Sequence, residues 1–251
     1  MEAFTRLFTA LDGTTATNAK VAALKDYLSS ATGADAAWAI YIVSGRRARR
    51  LAGRPLLKAA LQELTGYPEW MVLDAYATVG DFAETASLLT EDCRSPGAVD
   101  SRSLADWMET EILPLAELDD AARKEKLKQW WRELPQLSCF LVTKLITGGL
   151  RVGVSRTLVA RAVAEYADLP RDIVAHRLMG EWQPSAAWFR GLVDPDIEQE
   201  QGARPYPFYL ASPLEQEPQQ LGRREAWLAE WKWDGIRAQL VKRGDAISLW
   251  S

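Results

Sequence analysis

Apolar positions recur at helical spacing along most of this chain. Val21, Leu24 and Leu28 share one helix face after the polar start Thr14–Thr17. Ala36 to Val43 reads as a short apolar helix or buried segment ending near Gly45. Pro55 suits the first turn of a helix to Thr65, with Gly66 as its stop. Pro68 opens the next helix, to Gly80, and Asp81 can cap another through Leu89. Ser95-Pro96-Gly97 marks a loop. Helices are then expected from Ser103 to Leu115, Asp119 to Glu133 and Pro135 to Ile146. Ser155 is placed to cap a helix through Ala167. Pro170 opens one that stops at Gly180, and Ser185 opens a last short one.

Beyond that point the rhythm changes. Asp194 to Gly202 is acidic and polar and reads as a linker, and Pro205, Pro207, Pro213 and Pro218 favour extended backbone. After Arg223 the period becomes two: Ile236, Ala238 and Leu240 alternate with Arg237, Gln239 and Val241. Arg243-Gly244-Asp245 signals a turn, and Ala246 to Trp250 a second strand. The expected fold is mainly α. A multi-helix domain over residues 1–195 is followed by a linker at 196–204 and the first β-strands of another domain over 205–251. About 45 residues with one hairpin cannot bury a core of their own. The chain is therefore expected to be the N-terminal piece of a longer protein.

Charge adds a second pattern. The 251 residues carry a net charge of −4, yet the basic residues are grouped. Arg46, Arg47, Arg49, Arg50, Arg54 and Lys58 lie in one run without an acid, and Lys144, Arg151, Arg156 and Arg161 in another. Between them, Asp81 to Asp120 holds eleven acids against Arg94 and Arg102. An acidic chain can still present a basic face if folding joins the two runs. No apolar stretch approaches the roughly 20 residues of a membrane span. The start Met1-Glu2-Ala3-Phe4-Thr5-Arg6 lacks the features of a signal peptide. Cys93 and Cys139 are far apart, outside any CxxC pair, so free thiols in the cytoplasm are expected. His176 stands alone without metal-ligand spacing and reads as structural. Trp38, Trp70, Trp107, Trp130 and Trp188 sit beside apolar neighbours and read as core.

Two stretches carry candidate chemistry. In Glu230-Trp231-Lys232-Trp233-Asp234-Gly235-Ile236-Arg237, a lysine amine can attack phosphorus in its neutral form. Gly235 permits close backbone approach to a phosphate, and Arg237 can grip one with a two-pronged guanidinium. On a strand, Glu230 would share a face with Lys232, with Trp231 and Trp233 packing the opposite face. A plain hairpin with a solvated lysine would account for Lys-x-Asp-Gly alone. The second stretch is Lys144-Leu145-Ile146-Thr147-Gly148-Gly149-Leu150-Arg151-Val152-Gly153-Val154-Ser155, followed by Arg156. Glycines at a helix end and a capping serine expose backbone N–H groups that favour phosphate. Lys144, Arg151 and Arg156 would add attraction to a nucleic-acid backbone irrespective of sequence.

The longer pattern Glu-x-Lys-x-Asp-Gly-x-Arg resembles the nucleotide-binding signature of ATP-dependent DNA ligases, and Pro207 to Leu214 resembles their lead-in to it. The Lys144–Ser155 stretch is similar to the loop by which the helical domain of larger ligases grips the minor groove. Val79-Gly80-Asp81-Phe82-Ala83-Glu84 resembles another segment of that domain. The resemblance spans the chain and is nearest to bacterial ATP-dependent ligases with this N-terminal domain. It implies that Lys232 becomes adenylated from ATP, that Glu230 meets the adenine amino group, and that Arg237 meets the ribose or phosphate side. It implies a DNA contact through Lys144, Thr147, Gly148, Gly149, Arg151, Gly153, Ser155 and Arg156. Magnesium is expected, with ligands outside these residues. The substrate would be nicked double-stranded DNA and the protein a monomer, acting in replication, repair or recombination. These residues alone are expected to bind DNA without ligating. An RNA ligase or capping enzyme would share the lysine signature, and a non-catalytic DNA-binding module would share the helices.

Overall fold

The structure is a computed structural model that describes residues 1–46, 51–95, 102–148, 150, 152–196 and 214–250. Its helices are α1 (Glu2–Asp12), α2 (Thr17–Ser30), α3 (Gly33–Val43), α4 (Arg54–Thr65), α5 (Glu69–Val79), α6 (Phe82–Leu89), α7 (Leu104–Asp106), α8 (Asp120–Glu133), α9 (Gln136–Thr147), α10 (Arg156–Ala167), α11 (Arg171–Arg177) and α12 (Ala186–Val193). Strands β1 (Gln239–Arg243) and β2 (Ala246–Trp250) complete the described elements. The fold is thus mainly helical. The expected loop residues Pro96 and Gly97, the linker from Ile197 onward, and Pro205, Pro207 and Pro213 lie outside the described residues.

The helix ends follow local chemistry. Pro55 sits in the first turn of α4 and Gly66 closes it. Asp81 accepts a hydrogen bond from the Glu84 N–H and caps α6. α1, ahead of the polar start, is an element the apolar spacing did not single out. It buries Phe4, Leu7, Phe8 and Leu11.

Four expectations need correction. The helix expected from Ser103 to Leu115 is broken into α7, a π turn at Trp107–Ile112 and a 3-10 turn at Leu113–Glu117. Pro114 has no N–H to continue the ladder, and the Leu113 N–H donates instead to the Met108 carbonyl. α11 stops at Arg177, three residues before the left-handed Gly180 (φ 74°), and the carbonyls of Leu178 and Gly180 accept from the Arg46 guanidinium. Pro218 opens a 3-10 turn to Leu221 instead of an extended segment. Trp70 is 66% exposed, not core. α5 buries Val72, and two residues of helix place Trp70 on nearly the opposite side.

One hydrophobic cluster runs from Met1 to Leu192. α2 packs on α1 and α10, α3 on α7 and α12, α4 on α8, and α6 on α9. Trp107, Trp130 and Trp131 are fully enclosed, and the rings of Trp107 and Trp130 meet edge to face at 5.5 Å. The Trp131 indole N–H donates to the Thr143 hydroxyl at 2.9 Å, joining α8 to α9. Lys124 and Lys128 of α8 both pair with Glu63 of α4.

β1 and β2 pair antiparallel with Arg243 opposite Ala246, so Gly244 and Asp245 form the turn as expected. The strand begins at Gln239, leaving Ile236 and Ala238 outside it.

Asp35 offers a test of the core. Its carboxylate is buried and accepts from the Ala105 N–H at 2.8 Å and the Thr32 hydroxyl at 3.0 Å, tying α3 to the start of α7. Asp35→Ala strands the Ala105 donor, and we expect a loss of about 1–3 kcal/mol in chemical denaturation. An unchanged midpoint would refute this role for Asp35.

Candidate functional site

α9 ends where Gly148 turns left-handed (φ 67°), its N–H donating to the Lys144 and Leu145 carbonyls. The Thr147 hydroxyl donates back to the Thr143 and Lys144 carbonyls at 2.9 and 3.0 Å. Val152 is buried and anchors the loop, while Gly153 is exposed with φ 58°. The Ser155 hydroxyl then accepts from the Leu158 N–H at 3.2 Å and starts α10, as its position in the sequence suggested. Gly149 and Arg151 lie outside the described residues.

The two basic runs meet at this loop. The Leu51 N–H donates to the Ile146 carbonyl at 3.0 Å, laying the middle of the first run along the end of α9. Arg46, Lys144 and Gly148 line one small recess with Tyr41, Ile42 and Leu150. Arg46 lies over the Trp182 ring at 4.7 Å, and Trp182 stacks on Trp188 at 3.6 Å. Burial first, then the like charge of Arg156, pull the Arg46 guanidinium below its ordinary pKa, against Tyr41 and Glu181. Arg47, Arg49 and Arg50 lie outside the described residues.

The basic side chains differ in their freedom. Arg156 is exposed and has no carboxylate partner among the described residues. Arg161 pairs with Glu165 at 2.8 Å, as Lys25 does at 3.4 Å. Lys144 pairs with Asp81, the cap of α6, and lies 5.4 Å from the Phe140 ring centre. Burial pushes the Asp81 carboxyl up. The Lys144 hydrogen bond and the Glu84 N–H outweigh it and hold the group below the ordinary range. This ion pair joins two segments that sequence singled out separately, Val79–Glu84 and Lys144–Ser155.

Sequence reasoning missed Lys20. Its ammonium is buried and donates to the Val152 carbonyl at 2.7 Å and the Gly153 carbonyl at 3.1 Å. A signal existed: Lys20 falls four residues before Leu24, on the apolar stripe of α2.

The lysine segment is placed differently from expectation. Glu230, Lys232 and Arg237 are all exposed and lie ahead of β1, on no strand. Trp231 and Trp233, expected to pack a sheet, are 83% and 85% exposed. Strand alternation becomes burial only where a neighbouring strand supplies backbone partners, and none among the described residues pairs with 230–238. Among the described residues no helix is long and apolar enough to cross a membrane, and no three His, Cys, Asp or Glu side chains gather as metal ligands.

The sequence profile of a family described as DNA ligase N terminus matches residues 1–164. A probable DNA ligase of Nocardia farcinica is 34% identical over 137 residues, which are 51% of this chain and 26% of that protein. A DNA ligase of Methanothermobacter thermautotrophicus is 30% identical over 142 residues, 53% of this chain and 25% of that protein. A probable DNA ligase of Koribacter versatilis is 26% identical across 96% of this chain and 43% of its own length. The chain thus spans less than half the length of these relatives.

The Asp81–Lys144 pair has a pH signature. A depressed folded-state carboxyl pKa contributes stability above the unfolded value, lost as pH falls through the folded one. Asp81→Asn is expected to be less stable than the parent at pH 7, and the gap to close below about pH 4. Thermal melts across that range check it, and a gap that widens in acid would contradict the pairing.

Proposed function

The chain belongs to the DNA ligase N-terminus family, and from that membership we propose that its helical part holds duplex DNA for an ATP-dependent ligase that seals nicks. The observation that supports the DNA contact is the meeting of two basic runs at the α9–α10 loop. Arg156 offers a phosphate an exposed guanidinium that no carboxylate among the described residues pairs with. Gly148, Gly149 and Gly153 let the backbone approach, Thr147 and Ser155 fix the helix ends beside it, and Arg151 adds charge. Lys144 joins this face as half of an ion pair, so a phosphate must compete with Asp81 for it. Such contacts position the duplex without reading bases.

In the complete enzyme the Lys232 amine attacks the α-phosphorus of ATP, a P–N bond forms and pyrophosphate leaves. The Glu230 carboxylate accepts a hydrogen bond from the adenine amino group, and Arg237 holds the ribose or phosphate side. The AMP then passes to the 5′-phosphate of the nick, and the 3′-hydroxyl displaces it to close the strand. One acceptor at Glu230 and cationic donors at Lys232 and Arg237 suit a nucleotide. Magnesium would neutralise phosphate charge, and the described residues offer no ligand set for it. A monomer acting on cytoplasmic DNA in replication, repair or recombination fits this reading.

Two measurements test it. Full-length protein incubated with ATP labelled at the α-phosphate should acquire a covalent label that Lys232→Ala abolishes. A label that persists in the variant, or none at all, would contradict the adenylation reading and leave a DNA-binding module. This chain should also bind nicked duplex with little sequence preference and with affinity that falls as salt rises. Arg156→Ala should weaken that binding uniformly and lower the salt slope by about one. Salt-independent binding, or an unaltered slope, would count against the loop contact.

A further inference from the structure

Beneath the α9–α10 loop sits a buried cation whose only partners among the described residues are carbonyls. Lys20 of α2 is 7% exposed. Its Nζ donates to the Val152 carbonyl at 2.7 Å and the Gly153 carbonyl at 3.1 Å, and no carboxylate among the described residues pairs with it. Burying an ammonium away from any counter-charge is costly, so oriented dipoles must compensate for it. The price is met by fixing two consecutive peptide planes.

Those planes have a second edge. In a trans peptide the C=O and N–H point in opposite directions, and no cis bond occurs among the described residues. With the Val152 and Gly153 carbonyls turned onto Lys20, the N–H groups of Gly153 and Val154 point away from it. Neither donates to an acceptor among the described residues. Gly153 is exposed, so its donor is accessible. Two features favour glycine at this position. Its φ is 58°, and a Cβ there would stand 3.0 Å from Lys20 Nζ. Ser155 and Arg156 follow directly.

We infer that Lys20 is a positioning residue that turns the N–H groups of Gly153 and Val154 outward as paired donors to a DNA phosphate beside Arg156, without touching the nucleic acid itself. Successive N–H groups presented on one side form an anion-binding concavity, and the buried ammonium holds it open. This rests on the reading that the α9–α10 loop meets DNA.

The test uses the 251-residue chain with Lys20→Met, Gly153→Ala and the double variant. Thermal unfolding, affinity for nicked duplex and the amide resonances of Gly153 and Val154 are measured together. Lys20→Met should still unfold cooperatively and bind about 10-fold more weakly, and so should Gly153→Ala. The double variant should be no weaker than either single one, because both act through the same peptide. In the parent, duplex should shift the Gly153 and Val154 amides, and Lys20→Met should abolish those shifts while keeping that of Arg156. A folded Lys20→Met that binds like the parent, or losses that add in the double variant, overturns the inference. Should Lys20→Met not fold, Gly153→Ala and the parent amides decide: unshifted amides or unaltered affinity overturn it. If Arg156→Ala binds as the parent does, the loop contact itself fails. If Arg156→Ala weakens binding and Lys20→Met does not, only the role of Lys20 fails.

Discussion

At the end of α9 the Leu51 N–H donates to the Ile146 carbonyl at 3.0 Å, and through that contact one basic run is laid against another nearly a hundred residues away. Bringing like charges together opposes folding unless each cation finds a partner in the body of the protein. Here Arg46, Lys144 and Lys20 each have a different one. Arg46 takes the carbonyls of Leu178 and Gly180 and the face of Trp182. Lys144 takes Asp81, and Lys20 takes the loop carbonyls. Arg156 is left exposed at the start of α10. The packing of α2 on α10 and of α3 on α12 brings those partners within reach, so the basic face is a product of the helical core.

What could be read from sequence was local. Pro55 and Gly66 bracket α4, and Asp81 and Ser155 cap the helices they precede, because a cap is decided within about four residues. The paired glycines after Thr147 marked the end of α9 for the same reason. What sequence did not yield depends on neighbours distant in the chain. Pro114 lies within an apolar pattern that looks helical, and the ladder around it becomes a π turn. Trp70 has apolar neighbours, but its helix turns Val72 inward instead. Lys20 is buried only because Val152 and Gly153, distant in the chain, fold onto it.

The lysine segment shows the same division in its chemistry. Its residues resemble a nucleotide-binding signature, yet Glu230, Lys232 and Arg237 stand exposed ahead of a two-stranded hairpin. A pocket needs walls, and one hairpin has a single layer with Leu240, Ile247 and Leu249 facing solvent. The loop between α9 and α10 differs because its supports lie within α2, α6 and α9. In this chain the α9–α10 loop is built and braced, whereas Lys232 stands in an exposed segment without a surrounding pocket.

We propose that the α9–α10 loop, with Arg46 and Leu51 beside it, forms one DNA-binding face. Hydrogen exchange of this chain with and without nicked duplex addresses it directly. Duplex should slow exchange only in peptides covering residues 46–51 and 148–158, at low salt and irrespective of duplex sequence. Protection elsewhere, with these two segments unchanged, would contradict it.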